Sequence, residues 1–268
     1  MWSGGRSLRL ISIAGGLAVA LGIAQGQTPL CNGQHPGNPE LISGAASCFY
    51  NEVGGGQTLI QLDGSSVIRW DTFALDDPES SLTFQWTGPL DSNAAVLNRV
   101  EQGGRSEAFW GGTLSFPDGN LIVTHPNTGL NIMGLVEARS VTVSMHRLDP
   151  EAELDLLDGL GADLLDGRKP LKVLGGTVLA TDGDVFLSGQ TVANLGGLGG
   201  NGNGGGILAP AGSVRIFGGE NFRLLPQDAP AGGGRVERLP GNNGGNVINT
   251  RTIRAGRMVE IVAEEDIR

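Results

Sequence analysis

The sequence predicts an all-β fold, a right-handed parallel β-helix in which short strands stack turn upon turn. The first observation is a series of short apolar or alternating segments, each ended by Gly, Pro, Asp or Asn, which is typical of strands joined by tight turns. The second is the glycine content, 46 of 268 residues, because a fold with many turns needs many positions of positive φ. The third is an internal repeat beyond residue 173, which indicates stacked units that share one core.

Residues 1–26 have the pattern of a secretory signal peptide. Arg6 and Arg9 precede an apolar segment at 10–23, and residues 24–26 have the small-x-small pattern of a cleavage site. The apolar segment is shorter than the roughly 20 residues that a membrane-spanning helix requires. We expect a signal peptide that is removed during export, with an uncleaved anchor as the alternative, and no stable membrane span in the mature chain.

The two cysteines, Cys31 and Cys48, lie just after the predicted cleavage point. Export brings them into an oxidising compartment, where a disulfide across a loop of this length stabilises the fold by roughly 3 kcal/mol in the chain-entropy model. We predict that they form a disulfide, and two reduced thiols are the alternative. No metal site is predicted, because His35, His125 and His146 show no spacing typical of metal ligands.

Residues 57–138 consist of short segments with the pattern of strands. Residues 57–63 alternate polar and apolar side chains, as a half-buried strand does. Further apolar runs, each ended by a turn-forming residue, follow at 67–68, 82–84, 95–97, 113–116, 121–123 and 135–136. No window has the i, i+3, i+4, i+7 spacing of an amphipathic helix, so this part of the chain is predicted to be all-β.

Most of the aromatic residues are concentrated between residues 70 and 116. They are Trp70, Phe73, Phe84, Trp86, Phe109, Trp110 and Phe116. Large aromatic side chains at strand positions more often fill a core than form an exposed surface. We predict that they fill the wide end of the stack, and an exposed carbohydrate-binding platform is the alternative.

A set of short motifs runs through residues 66–138 in a fixed order. In sequence order they are Ile68-Arg69-Trp70-Asp71-Thr72-Phe73, Asn98-Arg99-Val100, Gly112-Thr113-Leu114, Asp118-Gly119-Asn120, Pro126-Asn127 with Gly129, and Gly134-Leu135-Val136-Glu137-Ala138. In this order and spacing they resemble the secretion domain of the two-partner secretion family, which includes the filamentous-haemagglutinin-type exoproteins. One departure is the family's Asn-Pro-Asn-Gly turn, which is His125-Pro126-Asn127-Thr128-Gly129 in this chain.

The resemblance implies a secreted or cell-surface exoprotein of a two-membrane bacterium, exported through the periplasm. It implies that residues 66–150 form the core of a β-helical secretion domain and that residues 27–65 form an N-terminal cap over its open end. A cap is physically required, because an uncovered sheet edge or apolar end invites association. The resemblance also implies an outer-membrane β-barrel transporter as partner and a role in adhesion, with host or cell-surface glycans as possible ligands.

The same resemblance implies recognition residues for the transporter. They are Asn98, Arg99, Pro126 and Asn127. In the expected mechanism the chain crosses the periplasm unfolded or loosely folded, is captured through residues around 93–129, and stacks turn by turn outside the cell. The alternative is that these residues only form corners between strands and contact no partner.

Residues 151–172 are predicted to form an acidic, Leu-rich connector. Pro150 and the acidic residues after it suit the start of a helix. Gly159 and Gly161 weaken a long helix and favour a short one or a helical turn. The alternative, a calcium loop, would use ligands whose spacing matches no known loop, namely Asp155, Asp158, Asp163 and Asp166.

The internal repeat lies within residues 173–268, which are predicted to form further β-helix turns. The first copy has Val192, Asn194, Ile207, Ala209, Val214 and Ile216, and the second has Val247, Asn249, Ile253, Ala255, Val259 and Ile261. One such unit cannot bury its apolar side alone, so the copies are predicted to stack. The Gly-rich segments 195–206 and 226–246 are predicted loop insertions, and short hairpins are expected to project from the helix.

Charge and motif content argue against several function classes. The net charge of −10 does not suit nucleic acid as partner, because phosphate binding needs a basic face. No nucleophile elbow, His-Glu-x-x-His motif or cofactor-binding motif is present, so we expect a non-enzymatic protein without cofactors. A structural surface or matrix protein that stacks end to end is one alternative. The other is a β-helical polysaccharide-processing enzyme that gathers Asp71, Asp118, Arg99 and Arg139 on one outer face.

Overall fold

The structure is a computed structural model that describes residues 28–33, 35–52, 55–73, 75–88, 94–101, 107–157, 161–196, 205–224, 236–239 and 244–268. The predicted signal peptide at 1–26 lies outside these residues. So do residues 197–204 and 225–235, which hold much of the two predicted loop insertions.

The described residues form short strands, one α-helix and a 3₁₀ turn at Cys31–Gly33. The helix α1 spans Pro150–Leu157. The strands are β1 (Thr28–Pro29), β2 (Glu40–Ser43), β3 (Ala46–Asn51), β4 (Gln57–Leu62), β5 (Ser66–Trp70), β6 (Ser81–Trp86), β7 (Ala95–Val100), β8 (Glu107–Trp110), β9 (Thr113–Thr124), β10 (Gly129–Ile132), β11 (Leu135–Ser144), β12 (Ala162–Leu164), β13 (Leu171–Leu174), β14 (Thr177–Ala180), β15 (Val185–Gly189), β16 (Thr191–Leu195), β17 (Gly206–Ala209), β18 (Val214–Gly218), β19 (Phe222–Leu224), β20 (Val236–Arg238), β21 (Asn246–Asn249), β22 (Thr252–Ala255) and β23 (Val259–Ala263).

The strands stack in three parallel columns that the chain visits in a fixed order. The first column contains β4, β6, β14, β17 and β22 with the first halves of β9 and β11. The second contains β5, β7, β15, β18 and β23 with the second halves of β9 and β11. The third contains β8, β10, β13, β16 and β21, and we call one pass through the columns a rung. This confirms an all-β fold of parallel strands that is like a β-helix.

The predicted repeat occupies two consecutive rungs with its residues in register. Val192 pairs with Val247 in the third column, and Ile207 pairs with Ile253 in the first. The remaining repeat residues pair in the same way, including those of the second column. The pairing confirms that the repeat unit is one rung, because apolar residues at equal spacing can only share a core when their strands stack in register.

The inward side chains of all three columns form one continuous apolar core. In the first column Leu114, Val136, Val178 and Ile207 follow one another from rung to rung, and each is at most 1% exposed. Full burial of an aliphatic side chain of this size contributes roughly 1.5–3 kcal/mol. The core therefore stabilises each rung through the rungs next to it, as expected for stacked repeats.

The clustered aromatic residues mostly fill this core, as predicted. Those at most 2% exposed are Trp70, Phe73, Phe84, Trp110 and Phe116. Trp86 is half-buried, and Phe109 is 43% exposed. Phe109 departs from the prediction because side chains alternate along a strand, and its neighbours Ala108 and Trp110 take the inward positions of β8.

The strands β2 and β3 cover the amino-terminal end of the stack. β3 pairs antiparallel with β4, and β2 pairs antiparallel with β5. Leu41, Ala46 and Tyr50 pack against the core from this side. Parallel stacking begins at Gln57, inside the segment predicted as cap, because β4 pairs in parallel with β6 along its whole length.

Cys31 and Cys48 are joined by a disulfide that ties the 3₁₀ turn to β3. The two residues are 17 positions apart in sequence, and their Cα atoms are 4.7 Å apart. Because the bond restricts the unfolded chain, its reduction is expected to lower the free energy of unfolding by roughly 3 kcal/mol. Urea unfolding with and without a reductant measures this loss. The variant C31S/C48S should be insensitive to reductant, and an unchanged midpoint for the reduced protein would contradict the prediction.

The helix α1 and a small antiparallel sheet cover the outer face of the second column. The sheet contains β12, β19 and β20, which come from two separate excursions of the chain. A second apolar cluster joins them to the column, and its buried members are Val67, Leu97, Ile122, Leu148, Ala152, Ala162, Leu164, Phe186, Phe217 and Phe222. The predicted acidic connector thus contributes a short helix and a strand that pack on the stack.

Candidate recognition site

Asn98, the first predicted recognition residue, lies on the inner side of β7. Its side chain is fully buried. Trp70 Nε1 donates a hydrogen bond of 2.9 Å to Asn98 Oδ1, and Asn98 Nδ2 donates to the Ile122 carbonyl oxygen at 3.4 Å. The buried amide therefore satisfies the indole of the neighbouring rung, which is a structural role in the folded protein.

Removing the Asn98 amide is expected to destabilise the protein by about 2 kcal/mol, because it leaves the buried Trp70 N–H without an acceptor. Urea unfolding of Asn98→Ala measures the loss. Trp70→Phe and the double variant complete a double-mutant cycle. The double variant should lose less unfolding free energy than the two single variants added together, because removing both partners leaves no unsatisfied group. Strict additivity would contradict this coupling.

The predicted turn at residues 125–129 forms despite its departure from the family pattern. Pro126 and Asn127 lie at its tip, half-buried and exposed respectively, and β10 begins at Gly129. His125 is fully buried, and its Nδ1 lies 3.0 Å from the Thr128 carbonyl oxygen. A carbonyl only accepts, so Nδ1 carries the proton, and the buried Nε2 has no hydrogen-bond partner. Burial lowers the pKa of His125 to about 4.

Arg99 forms ion pairs on the outer face of β7. Its Nη1 lies 3.0 Å from Glu153 Oε1, and its Nε lies 3.2 Å from Glu101 Oε1. Glu153 belongs to α1 and is 3% exposed. Burial raises the pKa of the Glu153 carboxyl, and the positive charge of Arg99 opposes the rise. Arg99 therefore holds α1 against the second column.

A second arginine extends these ion pairs to the cap. Arg69, in β5, lies 3.0 Å from Glu40 of β2, 3.7 Å from Glu101 and 3.6 Å from Asp71. Glu101 therefore contacts both arginines. The cap, two successive rungs and α1 are joined by one charged network at this corner, with side chains that are partly shielded from solvent.

The structure brings only some of the predicted recognition residues together. Asn127 Nδ2 donates to the Glu101 carbonyl oxygen at 3.4 Å, so the turn and Arg99 meet at Glu101. Pro126 lies beside Asn127. Asn98 faces the opposite side of β7, so in the folded protein Arg99, Pro126 and Asn127 form the outer surface at this corner and Asn98 does not.

The residues considered for polysaccharide chemistry lie at two different corners. Asp71 and Arg99 lie where the second-column strands end, and both belong to the charged network. Asp118 is exposed in the bend of β9, and Arg139 Nη2 donates to Asn120 Oδ1 at 3.4 Å near the start of those strands. The two pairs are separated by about four residues of strand, roughly 13 Å.

Sequence analysis did not identify a buried polar cluster under β19. Ser188 Oγ donates a hydrogen bond of 2.9 Å to Ser144 Oγ. Ser144 Oγ in turn lies 3.0 Å from His146 Nδ1. His146 Nε2 lies 3.2 Å from the Gly219 carbonyl oxygen and carries the proton, so Nδ1 is an acceptor. All three side chains are at most 1% exposed, and burial lowers the pKa of His146 to about 4. Only the register of β11 on β15, which pairs Ser144 with Ser188, could have revealed it.

The described part of the chain contains neither a cluster of metal ligands nor a helix that could span a membrane. Within these residues no group of three or more His, Cys, Asp or Glu side chains could hold a metal ion. None of the helical segments described is long and apolar enough to cross a membrane.

A solved structure resembles this fold. The crystal structure of the HMW1 secretion domain from Haemophilus influenzae superposes with a TM-score of 0.60 at 18% sequence identity, over 79% of this chain and 51% of that one. The chain thus spans about half the length of that structure. No protein-family model and no curated protein matches the sequence. The likeness is one of fold.

Proposed function

We propose that this chain is a secretion domain of the two-partner type, within a secreted or cell-surface protein related to the filamentous haemagglutinins. The observation that carries the proposal is the likeness of fold to the HMW1 secretion domain over 79% of the chain. The ordered motifs of residues 66–138 support it independently, because they fall at strand ends and corners of the stack. In this proposal the stack is a right-handed β-helix, the handedness that connections between parallel strands almost always have.

The partner in this proposal is an outer-membrane β-barrel transporter that captures the chain before it folds. Asn98 is buried and engaged in the folded protein, so it is accessible to a partner only in an unfolded or loosely folded chain. Pro126 and Asn127 are accessible in both states. Folding outside the cell then proceeds from rung to rung, because each rung buries its apolar side on the previous one.

A double substitution in the exposed turn tests recognition without disturbing the core. The double variant Pro126→Ala/Asn127→Ala is expected to accumulate in the periplasm of the native bacterium, with several-fold less protein in the medium, because the turn presents the recognition residues. The control is Asp182→Ala, at an exposed corner between β14 and β15. Quantitative immunoblots of periplasm and medium measure the partition.

A second variant in the same experiment lacks residues 93–129. This larger change should abolish export. Thermal unfolding of the purified turn variant separates loss of recognition from loss of folding. Export of both the turn variant and the deletion at the level of the unchanged protein would refute a role for this segment in transport.

The wider role is adhesion at the bacterial surface, with host or cell-surface glycans as ligands, and it is non-enzymatic. This part of the proposal extends the resemblance of the motifs and is tested by glycan-array binding of the purified protein. Release of unsaturated or reducing ends from acidic polysaccharides would instead favour the enzyme alternative.

A further inference from the structure

The outer side of the third column carries an amine, an amide and a carboxylate in mutual contact. Lys172 Nζ lies 2.5 Å from Glu107 Oε1, and Asn131 Nδ2 donates a hydrogen bond of 3.0 Å to Glu107 Oε2. The three residues come from successive strands of this column, β8, β10 and β13. One carboxylate therefore holds the amine of a lysine beside the amide of an asparagine.

The register of the strands places Asn131 and Lys172 side by side. They are paired positions of neighbouring parallel strands, which lie about 4.8 Å apart. Leu130 and Ile132 belong to the core, so Asn131 between them points outward, and Lys172 is the next residue of the same outward row. The lysine amine can therefore reach the amide carbon of Asn131 without a change in the backbone.

Asn131 is shielded from water although it points outward. It is 1% exposed, and its Oδ1 is buried without a hydrogen-bond partner. Its Nδ2 also donates to the Ala108 carbonyl oxygen at 3.4 Å, and Phe109 is its paired position on the side away from Lys172. Buried polar atoms in folded proteins nearly always have a partner, so an unpartnered amide oxygen beside an amine indicates a group with a chemical role.

Lysine is rare in this chain. Of its 18 basic residues 16 are arginines, and the two lysines are Lys169 and Lys172. The charged network at the end of β7 uses the arginines Arg69 and Arg99. An arginine guanidinium stays protonated and is no nucleophile, whereas a lysine amine can lose its proton and attack a carbonyl carbon. Residue 172 thus has the basic side chain that can react with an amide.

We propose that Lys172 and Asn131 form an intramolecular isopeptide bond that links two neighbouring rungs. Glu107 Oε1 accepts a proton from the lysine ammonium, and the lone pair of the resulting neutral amine attacks the Asn131 amide carbon. As the new C–N bond forms, the Glu107 carboxyl group passes protons from Nζ to Nδ2, the old C–N bond breaks, and ammonium leaves. Nζ loses two protons and the leaving nitrogen gains two, so atoms and charge balance and Glu107 is regenerated.

Glu107 is placed to serve as both the base and the acid of this reaction. One of its oxygens contacts the nucleophile and the other contacts the leaving nitrogen. The hydrogen bonds from Lys172 and Asn131 lower the pKa of its carboxyl, so it is ionised and able to accept a proton. The product closes residues 131–172 into a covalent loop, which restricts the unfolded chain as a disulfide does.

Mass spectrometry of the purified protein tests the bond. After allowance for the disulfide, the intact mass should be lower than that of the unlinked chain by one ammonia. Trypsin should not cleave after Lys172, and a branched peptide should join residues 106–139 to residues 169–215. Incubation at mildly alkaline pH should complete the reaction, because the amine attacks in its neutral form.

Three variants assign the chemistry. Glu107→Gln and Lys172→Arg should each retain the full mass, because the first lacks the base and the second lacks the amine while keeping a positive charge beside Glu107. Lys169→Arg, at the other lysine, should still lose ammonia. Lys172→Arg should also unfold at a lower urea concentration than the linked protein. An unlinked chain after alkaline incubation would overturn the proposal. So would a loss of ammonia that persists in Lys172→Arg, because it would show that Asn131 cyclises on its own backbone.

Discussion

Lowering the pH from 6.5 to 4 is expected to remove about 6 kcal/mol of unfolding free energy, because His125 and His146 are buried in the neutral form. Each folded-state pKa is lowered from 6.5 to about 4, which corresponds to roughly 3 kcal/mol per group. Between these two pH values the unfolded chain binds more protons than the folded one. The contribution of these two histidines to stability is therefore fully present above pH 6.5 and decreases as the pH falls. Below a pH of about 4 it decreases no further.

Other groups modify this profile in known directions. Burial also lowers the pKa of His35 to about 4, which adds to the loss. The raised pKa of Glu153 acts in the opposite direction, because its folded form binds a proton more readily than the unfolded one. The pKa values of Glu107 and Asp163 are lowered by their bonds to Lys172 and Arg223, so their contribution is lost only at more acidic pH.

Urea unfolding across this pH range measures how the free energy of unfolding changes with pH. Two variants show which histidines cause the change. His125→Asn introduces the residue that the resembled family has in this turn and removes one of three histidines with a lowered pKa, so its pH dependence should be weaker by about a third. His146→Gln removes the other group while keeping a donor and an acceptor. A pH profile in these variants identical to that of the unchanged protein would show that other groups govern the acid sensitivity.

Gly134→Ala is expected to lower the free energy of unfolding by about 3 kcal/mol or more. This is the upper end of the usual loss when an extra group is inserted into a packed interior. A Cβ atom at Gly134 would overlap the carbonyl oxygens of Gly111 and Gly112 in the preceding rung. Both obstacles are backbone, so no side chain can rotate away. The strands β9 and β11, which form the longest ladder of the stack, would have to separate at this corner.

Gly64→Ala is the matched control for this prediction. Gly64 lies at a corner between β4 and β5, and a Cβ atom there would meet no heavy atom within 4 Å. The substitution should leave stability nearly unchanged or raise it slightly, because alanine restricts the unfolded chain. Thermal or urea unfolding compares the two variants, and equal effects would show that close approach of the rungs is not what requires glycine at residue 134.

The position of much of the candidate site could be predicted from the sequence, but the structural role of each residue in it could not. The motifs identified the corner around Arg99 and the turn at Pro126 and Asn127. The face of β7 on which Asn98 lies could not be predicted from the sequence, because a shift of one residue along a strand exchanges the inner and outer faces. Glu153 was unpredictable as the partner of Arg99, since α1 reaches β7 only after an excursion of the chain.

The sequence by itself determined the all-β fold class, the repeat unit and a short helix or helical turn after Pro150, which the structure has as α1, because alternation, spacing and turn residues act over a few neighbouring positions. The tertiary structure alone decided which groups from distant rungs meet. It joins Ser144 to Ser188, and it makes Gly134 necessary through the approach of two backbones rather than through a positive φ. Such contacts depend on the register between strands tens of residues apart, and the interior packing of the whole stack sets that register.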